Sequence, residues 1–162
     1  MSINIVLIEP EIPQNTGNIA RTCAATGATL HLIKPLGFDI SEKAVKRAGL
    51  DYWDKLDIKI YENLDEFKNT TKDKDVFLVT TKAKKVYTNV SYTKDCYIVF
   101  GPETRGIPEN YILENMDNSI RIPMKENIRS LNLSNSVSIV AYEVLRQFNF
   151  LDLETTSNYF DN

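Results

Sequence analysis

The segment Arg121–Asn135, reading R-I-P-M-K-E-N-I-R-S-L-N-L-S-N, concentrates hydrogen-bonding groups between a short apolar stretch and a helix. Arg129 brings a guanidinium, Ser130 and Ser134 bring hydroxyls, and Asn132 and Asn135 bring amides. Ser134 or Asn135 is expected to cap the helix, which uses one or two of these groups. The surplus suits a ligand site at the carboxyl end of a strand in an α/β sheet. Two further segments share this character. E-P-E-I-P-Q-N-T-G-N-I-A-R, from Glu9, sets Asn15, Gly17, Asn18 and Arg21 around a helix start. F-G-P-E-T-R-G-I-P, from Phe100, holds Glu103 and Arg105 between two glycines, where a ligand could approach the backbone closely. None of the three reads G-x-G-x-x-G or as a P-loop, so a Rossmann or Walker phosphate cradle is not indicated. The single histidine, His31, lies in the apolar run Leu30–Ile33 and reads as a strand residue. A zinc site or Ser-His-Asp triad is therefore not expected, and no metal is assigned. Cys23 and Cys96 fall in a predicted helix and a predicted strand and read as buried thiols.

The elements that must carry these loops alternate. Apolar strands are predicted at Ile3–Ile8, Thr29–Lys34, Val76–Thr81, Tyr97–Phe100 and Ser119–Met124, with an alternating strand at Asp57–Tyr61. Helices are predicted from an Asn15 or Thr16 cap to about Gly27, over Ser41–Ala48, and from a capping box at Asn63–Glu66 through Asn69. Two more run from Pro108 to about Asn115 and over Ser134–Phe148. Strands this uniformly apolar are covered on both faces, which predicts a single-domain α/β fold with a parallel-rich sheet between helix layers. Residues 1–150 form the expected domain, and 151–162 an expected polar tail that frays.

Length and composition agree with one globular domain: 162 residues, 43% hydrophobic and 25% charged. Neither a targeting segment nor a membrane-spanning run stands out, so a cytoplasmic location is expected. The net charge is −3, which argues against holding nucleic acid by bulk electrostatics. All three excess acids, Asp152, Glu154 and Asp161, lie in the tail, and local basic groups remain. These are Lys43, Lys46 and Arg47, then Lys82, Lys84 and Lys85, then Arg121, Lys125 and Arg129. In the last helix Val137, Val140, Ala141, Val144 and Phe148 form one apolar stripe, with Ile139 and Tyr142 outside it.

N-T-G-N-I-A-R, F-G-P-E-T-R-G-I-P and R-I-P-M-x4-R-S-L-N-L-S-N-S-V-S-I, in this order and spacing, resemble the signature segments of the SpoU branch of the SPOUT RNA 2′-O-ribose methyltransferases. The opening N-I-V-L-I-E-P-E-I-P-Q-N-T-G-N and K-R-A-G-L-D-Y-W make the chain similar to the minimal tRNA (cytidine(34)-2′-O)-methyltransferase group. The resemblance implies a C-terminal trefoil knot, which sequence rules exclude by default because threaded chains are rare. It also implies S-adenosylmethionine as cofactor, with S-adenosylhomocysteine as product, and transfer to the ribose of the wobble nucleotide, cytidine or uridine 34, of leucine tRNAs. By the family pattern Val79, Thr80, Gly101, Glu103, Ile122, Met124, Ser130 and Leu131 contact the cofactor. Arg21, Asn15, Glu103, Ser130 and Asn132 surround the reacting hydroxyl. A guanidinium is effectively always protonated, so Arg21 is expected to orient and stabilise charge rather than act as a base. Arg129, then Lys82, Lys84 and Lys85, are the expected RNA contacts, and a homodimer covering Ile139 and Tyr142 is expected. The alternatives are a SpoU-type enzyme for another tRNA or rRNA position, and a non-catalytic RNA- or cofactor-binding protein.

Overall fold

The computed structural model describes residues 1–41 and 53–161. Most of the expected helix Ser41–Ala48, with Lys43, Lys46 and Arg47, lies outside the described residues. Among the described residues seven strands, β1 (Asn4–Ile8), β2 (Thr29–Ile33), β3 (Ile58–Tyr61), β4 (Val76–Val79), β5 (Lys85–Val86), β6 (Tyr97–Phe100) and β7 (Ser119–Arg121), form one sheet ordered β3-β2-β1-β6-β4-β7-β5. Every pairing is parallel. Among the described residues the helices are α1 (Pro13–Thr26), α2 (Leu64–Thr70), α3 (Glu109–Glu114) and α4 (Leu133–Gln147), with short 3-10 turns at Trp53–Lys55 and Met116–Asn118.

Successive strand residues face opposite sides of the sheet, and the strands β1, β4 and β6 are mainly apolar on both. Ile5, Leu7, Leu30, Leu32, Ile98 and Phe100 pack with Ile19 and Cys23 of α1 and with Val137, Val140, Ala141 and Val144 of α4. Val6, Ile8, Ile33, Leu78 and Val99 pack on the opposite face with Phe67 of α2 and Tyr111 and Ile112 of α3. Two cores on two faces make the expected layered α/β architecture. The α4 stripe faces the sheet as expected, while Ile139 and Tyr142 stay 36% and 45% exposed beside it.

Several boundaries differ from expectation. Helix α1 starts at Pro13 with Ile12 at its N-cap, not at Asn15 or Thr16. Proline's fixed φ and missing N–H suit the first helical position, and Asn15 is committed elsewhere. Helix α4 is capped by Asn132, whose Oδ1 accepts from the Asn135 amide at 3.2 Å and the Ser134 hydroxyl at 2.6 Å, replacing the expected Ser134 or Asn135 cap. Strands β4 and β7 are shorter than predicted. β7 pairs only through Ser119 and Ile120 with β4, and through Ile120 and Arg121 with β5, so its ladder ends before Pro123. β5 itself was not predicted; two residues within Lys82–Asp95 are too few to show a period.

His31 is fully buried in β2, with Nδ1 2.9 Å from the Tyr61 hydroxyl and Nε2 2.9 Å from Asn4 Oδ1. Asn4 Nδ2 donates to the carbonyls of Asp95 and Cys96. Its Oδ1 must therefore accept from His31 Nε2–H, which leaves Nδ1 to accept from Tyr61. Burial lowers the imidazole pKa to about 4. Cys23 and Cys96 are free, buried thiols, each pushed up to about 12 by desolvation. The tail is exposed at Tyr159 and Phe160, but its start is held, with Leu153 against the core and Asp152 3.8 Å from the amino terminus.

Candidate active site

The carboxyl ends of β4 and β6 end level, Val79 beside Phe100, and β7 ends beside β4, Ile120 beside Val79. The loops that leave them diverge and enclose a cleft of about 680 Å³. That volume suits a nucleoside-sized ligand.

The β4 side contributes Val79 and Thr80, followed by a tight turn in which the Ala83 amide bonds to the Thr80 carbonyl at 3.2 Å. The β7 side contributes Ile122 and Met124, and the approach to α4 contributes Arg129, Ser130, Leu131 and Asn132. The β6–α3 loop supplies Gly101 and Glu103, and the β1–α1 side supplies Ile12 and Asn15. Every residue expected to contact a cofactor therefore lines this one cleft. Apolar Val79, Ile122, Leu131 and Leu133 offer walls for a flat ring, and polar groups cluster at the α1 and α4 starts.

Glycine at 101 has a different cause from the one expected. A Cβ there would lie 2.2 Å from the Gly106 carbonyl carbon and 2.3 Å from the Ile107 nitrogen. The close approach is the loop folding on itself. Gly106, at φ +69°, makes the left-handed turn that brings Ile107 back, and the Gly106 amide donates to the Pro102 carbonyl at 2.9 Å.

Among the expected groups around the reacting hydroxyl, the structure joins Asn15 and Asn132. Asn132 Nδ2 donates to Asn15 Oδ1 at 3.0 Å, while its Oδ1 caps α4. Asn15 is 6% exposed while Asn132 is exposed, so this contact ties α1 to the α4 start at the edge of the cleft. Glu103 has both carboxylate oxygens turned to backbone, Oε1 to the Glu11 amide at 3.1 Å and Oε2 to the Ile12 amide at 2.6 Å. Arg21 lies on the exposed face of α1 and is not among the cleft-lining residues.

The expected basic contacts separate into distinct settings. Arg129 is exposed and lines the cleft. Lys82 lines it too, but its ammonium donates to Glu109 at 2.7 Å, which lowers the Glu109 pKa. Lys85 donates to the Asp117 carbonyl at 2.7 Å, and neither it nor Lys84 lines the cleft. Arg105, not assigned a role from sequence, lines the cleft with its guanidinium 3.5 Å from Glu9. Thr104 and Ile107 were likewise passed over, although both sit in the F-G-P-E-T-R-G-I-P segment already marked as unusual. Among the described residues, no group of three or more His, Cys, Asp or Glu side chains could hold a metal ion, and no helix is long and apolar enough to cross a membrane.

Comparison with known proteins bears directly on this geometry. The chain is 50% identical over 155 residues to a tRNA (cytidine(34)-2′-O)-methyltransferase of Yersinia pestis, covering 91% of this chain and 95% of that protein. A tRNA (cytidine(34)-2′-O)-methyltransferase of Saccharophagus degradans is 50% identical over 149 residues, covering 91% of this chain and 96% of that protein. A solved structure concerned with 2-OH methylation of C/U34 on tRNA superposes with a TM-score of 0.84 at 41% identity, over 92% of this chain and 97% of the other. The family model described as the SpoU rRNA Methylase family matches residues 2–142, a span that contains all three site-forming loops, and the chain belongs to that family.

Proposed function

We propose that this protein transfers a methyl group from S-adenosylmethionine to the ribose 2′-hydroxyl of the wobble nucleotide, position 34, of tRNA. The observation that carries this reading is the junction of Asn15 and Asn132 at the edge of a cleft built by three strand-leaving loops. Relatives about half identical over nine-tenths of the chain, named for that reaction, support it.

The residues present fit the cofactor. Val79, Ile122 and Leu131 suit an adenine ring, and the loop turned at Gly101 and Gly106 presents backbone beside it. Bound there, S-adenosylmethionine supplies the methyl group on a positively charged sulfur. Transfer would move that methyl from sulfur to the ribose oxygen, leaving S-adenosylhomocysteine, with the displaced hydroxyl proton passing to water. The protein's task is to align the hydroxyl oxygen and stabilise the charge that develops on it. Asn15 and Asn132 fix the positions of α1 and of the Ser130-bearing loop relative to one another. Ser130, exposed beside them, can orient the ribose by hydrogen bonding. Arg21, on the exposed face of α1 outside this cleft, is assigned an orienting and electrostatic role toward the RNA, since a guanidinium does not give up its proton. Glu103, with its oxygens held by the Glu11 and Ile12 amides, acts by shaping the cleft wall.

Arg129 is assigned to an RNA phosphate, with Lys82, Lys84 and Lys85 secondary. An unpaired anticodon-loop ribose is within reach of a cleft this open, unlike one inside an A-form stem. The active form is assigned as a homodimer that covers Ile139 and Tyr142, acting in the cytoplasm. We place the methyltransferase domain at residues 1–150, with the threaded carboxyl-terminal segment of the family and a tail at 151–162. The test is tritium transfer from labelled S-adenosylmethionine to purified tRNAs, leucine tRNAs first, with nuclease mapping of the label. Label at nucleotide 34 is expected; label elsewhere in tRNA or only in rRNA overturns the target. No transfer to any RNA despite cofactor binding leaves a binding protein.

A further inference from the structure

The start of α1 lacks the usual means of holding a helix terminus. Its N-cap is Ile12, which has no capping side chain, and its first turn carries no acid. The missing anion comes from another loop: Glu103 accepts from the Glu11 amide at 3.1 Å and the Ile12 amide at 2.6 Å. Glu11 returns the contact. Its Oε1 accepts from the Thr104 amide at 3.1 Å and the Thr104 hydroxyl at 2.7 Å, and its Oε2 lies 3.0 Å from the same hydroxyl. Adjacent residues of two loops more than ninety positions apart thus exchange carboxylate for amide in both directions.

The backbone of Glu11 is also braced from behind. The Gly37 amide donates to the Pro10 carbonyl at 2.9 Å, and a Cβ at Gly37 would lie 2.7 Å from the Glu11 carbonyl oxygen. Glu11 does not line the cleft, whereas its contacts do: Ile12, Glu103 and Thr104 are all in the wall. Three residues beyond Ile12, Asn15 meets Asn132. The clasp therefore closes a chain of contacts running from the β6–α3 loop, through α1, to the start of α4.

Resting on the methyl-transfer reading above, we propose that Glu11 is a positioning residue, which with Thr104 fixes the cofactor-side β6–α3 loop against the acceptor-side α1. Its carboxylate is held ionised by the two Thr104 donors, which lower its pKa. Misplacing reacting groups by about 1 Å can cost roughly 10²-fold in rate, so loss of the clasp acts on kcat.

The experiment measures kcat, KM for tRNA and the Kd for S-adenosylhomocysteine in Glu11→Ala, Glu11→Gln, Thr104→Val and Thr104→Ser. For Glu11→Ala and Thr104→Val, kcat is expected to fall about 10- to 100-fold, with KM and Kd within about threefold. Thr104→Ser restores the hydroxyl and most of the rate, and Glu11→Gln falls between. The Glu11→Ala/Thr104→Val double variant is no slower than the worse single one, because both remove the same contact. A kcat within twofold of the unsubstituted protein in Glu11→Ala, or multiplicative losses in the double variant, overturns the proposal. If the unsubstituted protein methylates no RNA, the methyl-transfer reading fails on its own. The clasp is then judged by amide exchange: Thr104 N–H must be protected and lose protection in Glu11→Ala, and equal exchange rates refute it.

Discussion

Replacing Asn132 separates helix capping from chemistry. Its Oδ1 accepts from the Asn135 amide and the Ser134 hydroxyl, and its Nδ2 satisfies Asn15 Oδ1. Removing an N-cap side chain costs about 1 kcal/mol. Asn15 is buried to 6% exposure, so stranding its carbonyl adds about 1–2 kcal/mol. Asn132→Ala is therefore expected to lose ~2–3 kcal/mol. In a chain of this length each kcal/mol moves Tm by about 2–4 °C, giving a fall of roughly 4–12 °C. Asn132→Asp behaves differently. It keeps the capping oxygen, places a negative charge at a helix N-terminus where it is favoured, and lets the Asn15 amide turn to donate. Its stability stays within about 1 kcal/mol of the unsubstituted protein, but the neutral amide bridging α1 and α4 is gone. Methylation of tRNA by this variant is expected to fall at least about tenfold. Differential scanning calorimetry and single-turnover tritium transfer read the two effects separately. An unchanged Tm in Asn132→Ala refutes the capping argument, and an unchanged rate in Asn132→Asp refutes the positional role of the Asn15–Asn132 pair.

Gly101→Ala forces a Cβ to within 2.3 Å of backbone at Gly106 and Ile107, so the loop must open; calorimetry should find S-adenosylhomocysteine binding lost. Gly101→Val is expected to do the same, and retained binding in either variant contradicts the stated packing. His31 is the only histidine, so one imidazole C–H resonance reports its titration. With its folded pKa lowered to about 4 from an ordinary 6.5, the unfolded chain binds the proton first as pH falls. Stability from this group is complete above pH 6.5 and declines toward pH 4 by about 3 kcal/mol. An NMR midpoint near 6.5 would sink this reading. Arg129→Ala is expected to weaken methylation of tRNA far more than binding of S-adenosylhomocysteine, and to flatten the salt dependence of RNA binding; equal losses in both point to a structural role. Sedimentation at micromolar concentration is expected to give a dimer, and an active monomer of 18.5 kDa removes the assigned role of Ile139 and Tyr142.

Local patterning determined much of this protein. Continuous apolar runs such as Ile5–Ile8 and Leu30–Ile33 must be covered on both faces, so a parallel sheet between helices follows from the chain itself. The loops worth attention were legible too, because Asn15, Gly101, Arg129 and Ser130 occupy stretches too polar or too glycine-rich for plain connectors. Pairing and partnership were not legible. The two-residue β5 exists only because β7 offers an edge to Lys85 and Val86. Asn132 rather than Ser134 caps α4 because its side chain also reaches Asn15, 117 residues away in sequence. Glu103, expected beside the reacting groups, spends its oxygens on the Glu11 and Ile12 amides, since α1 begins at a residue that cannot cap it. A side chain's donors and acceptors are fixed by its type, but which of them remain for a ligand is decided by neighbours that only the folded chain brings within 3 Å.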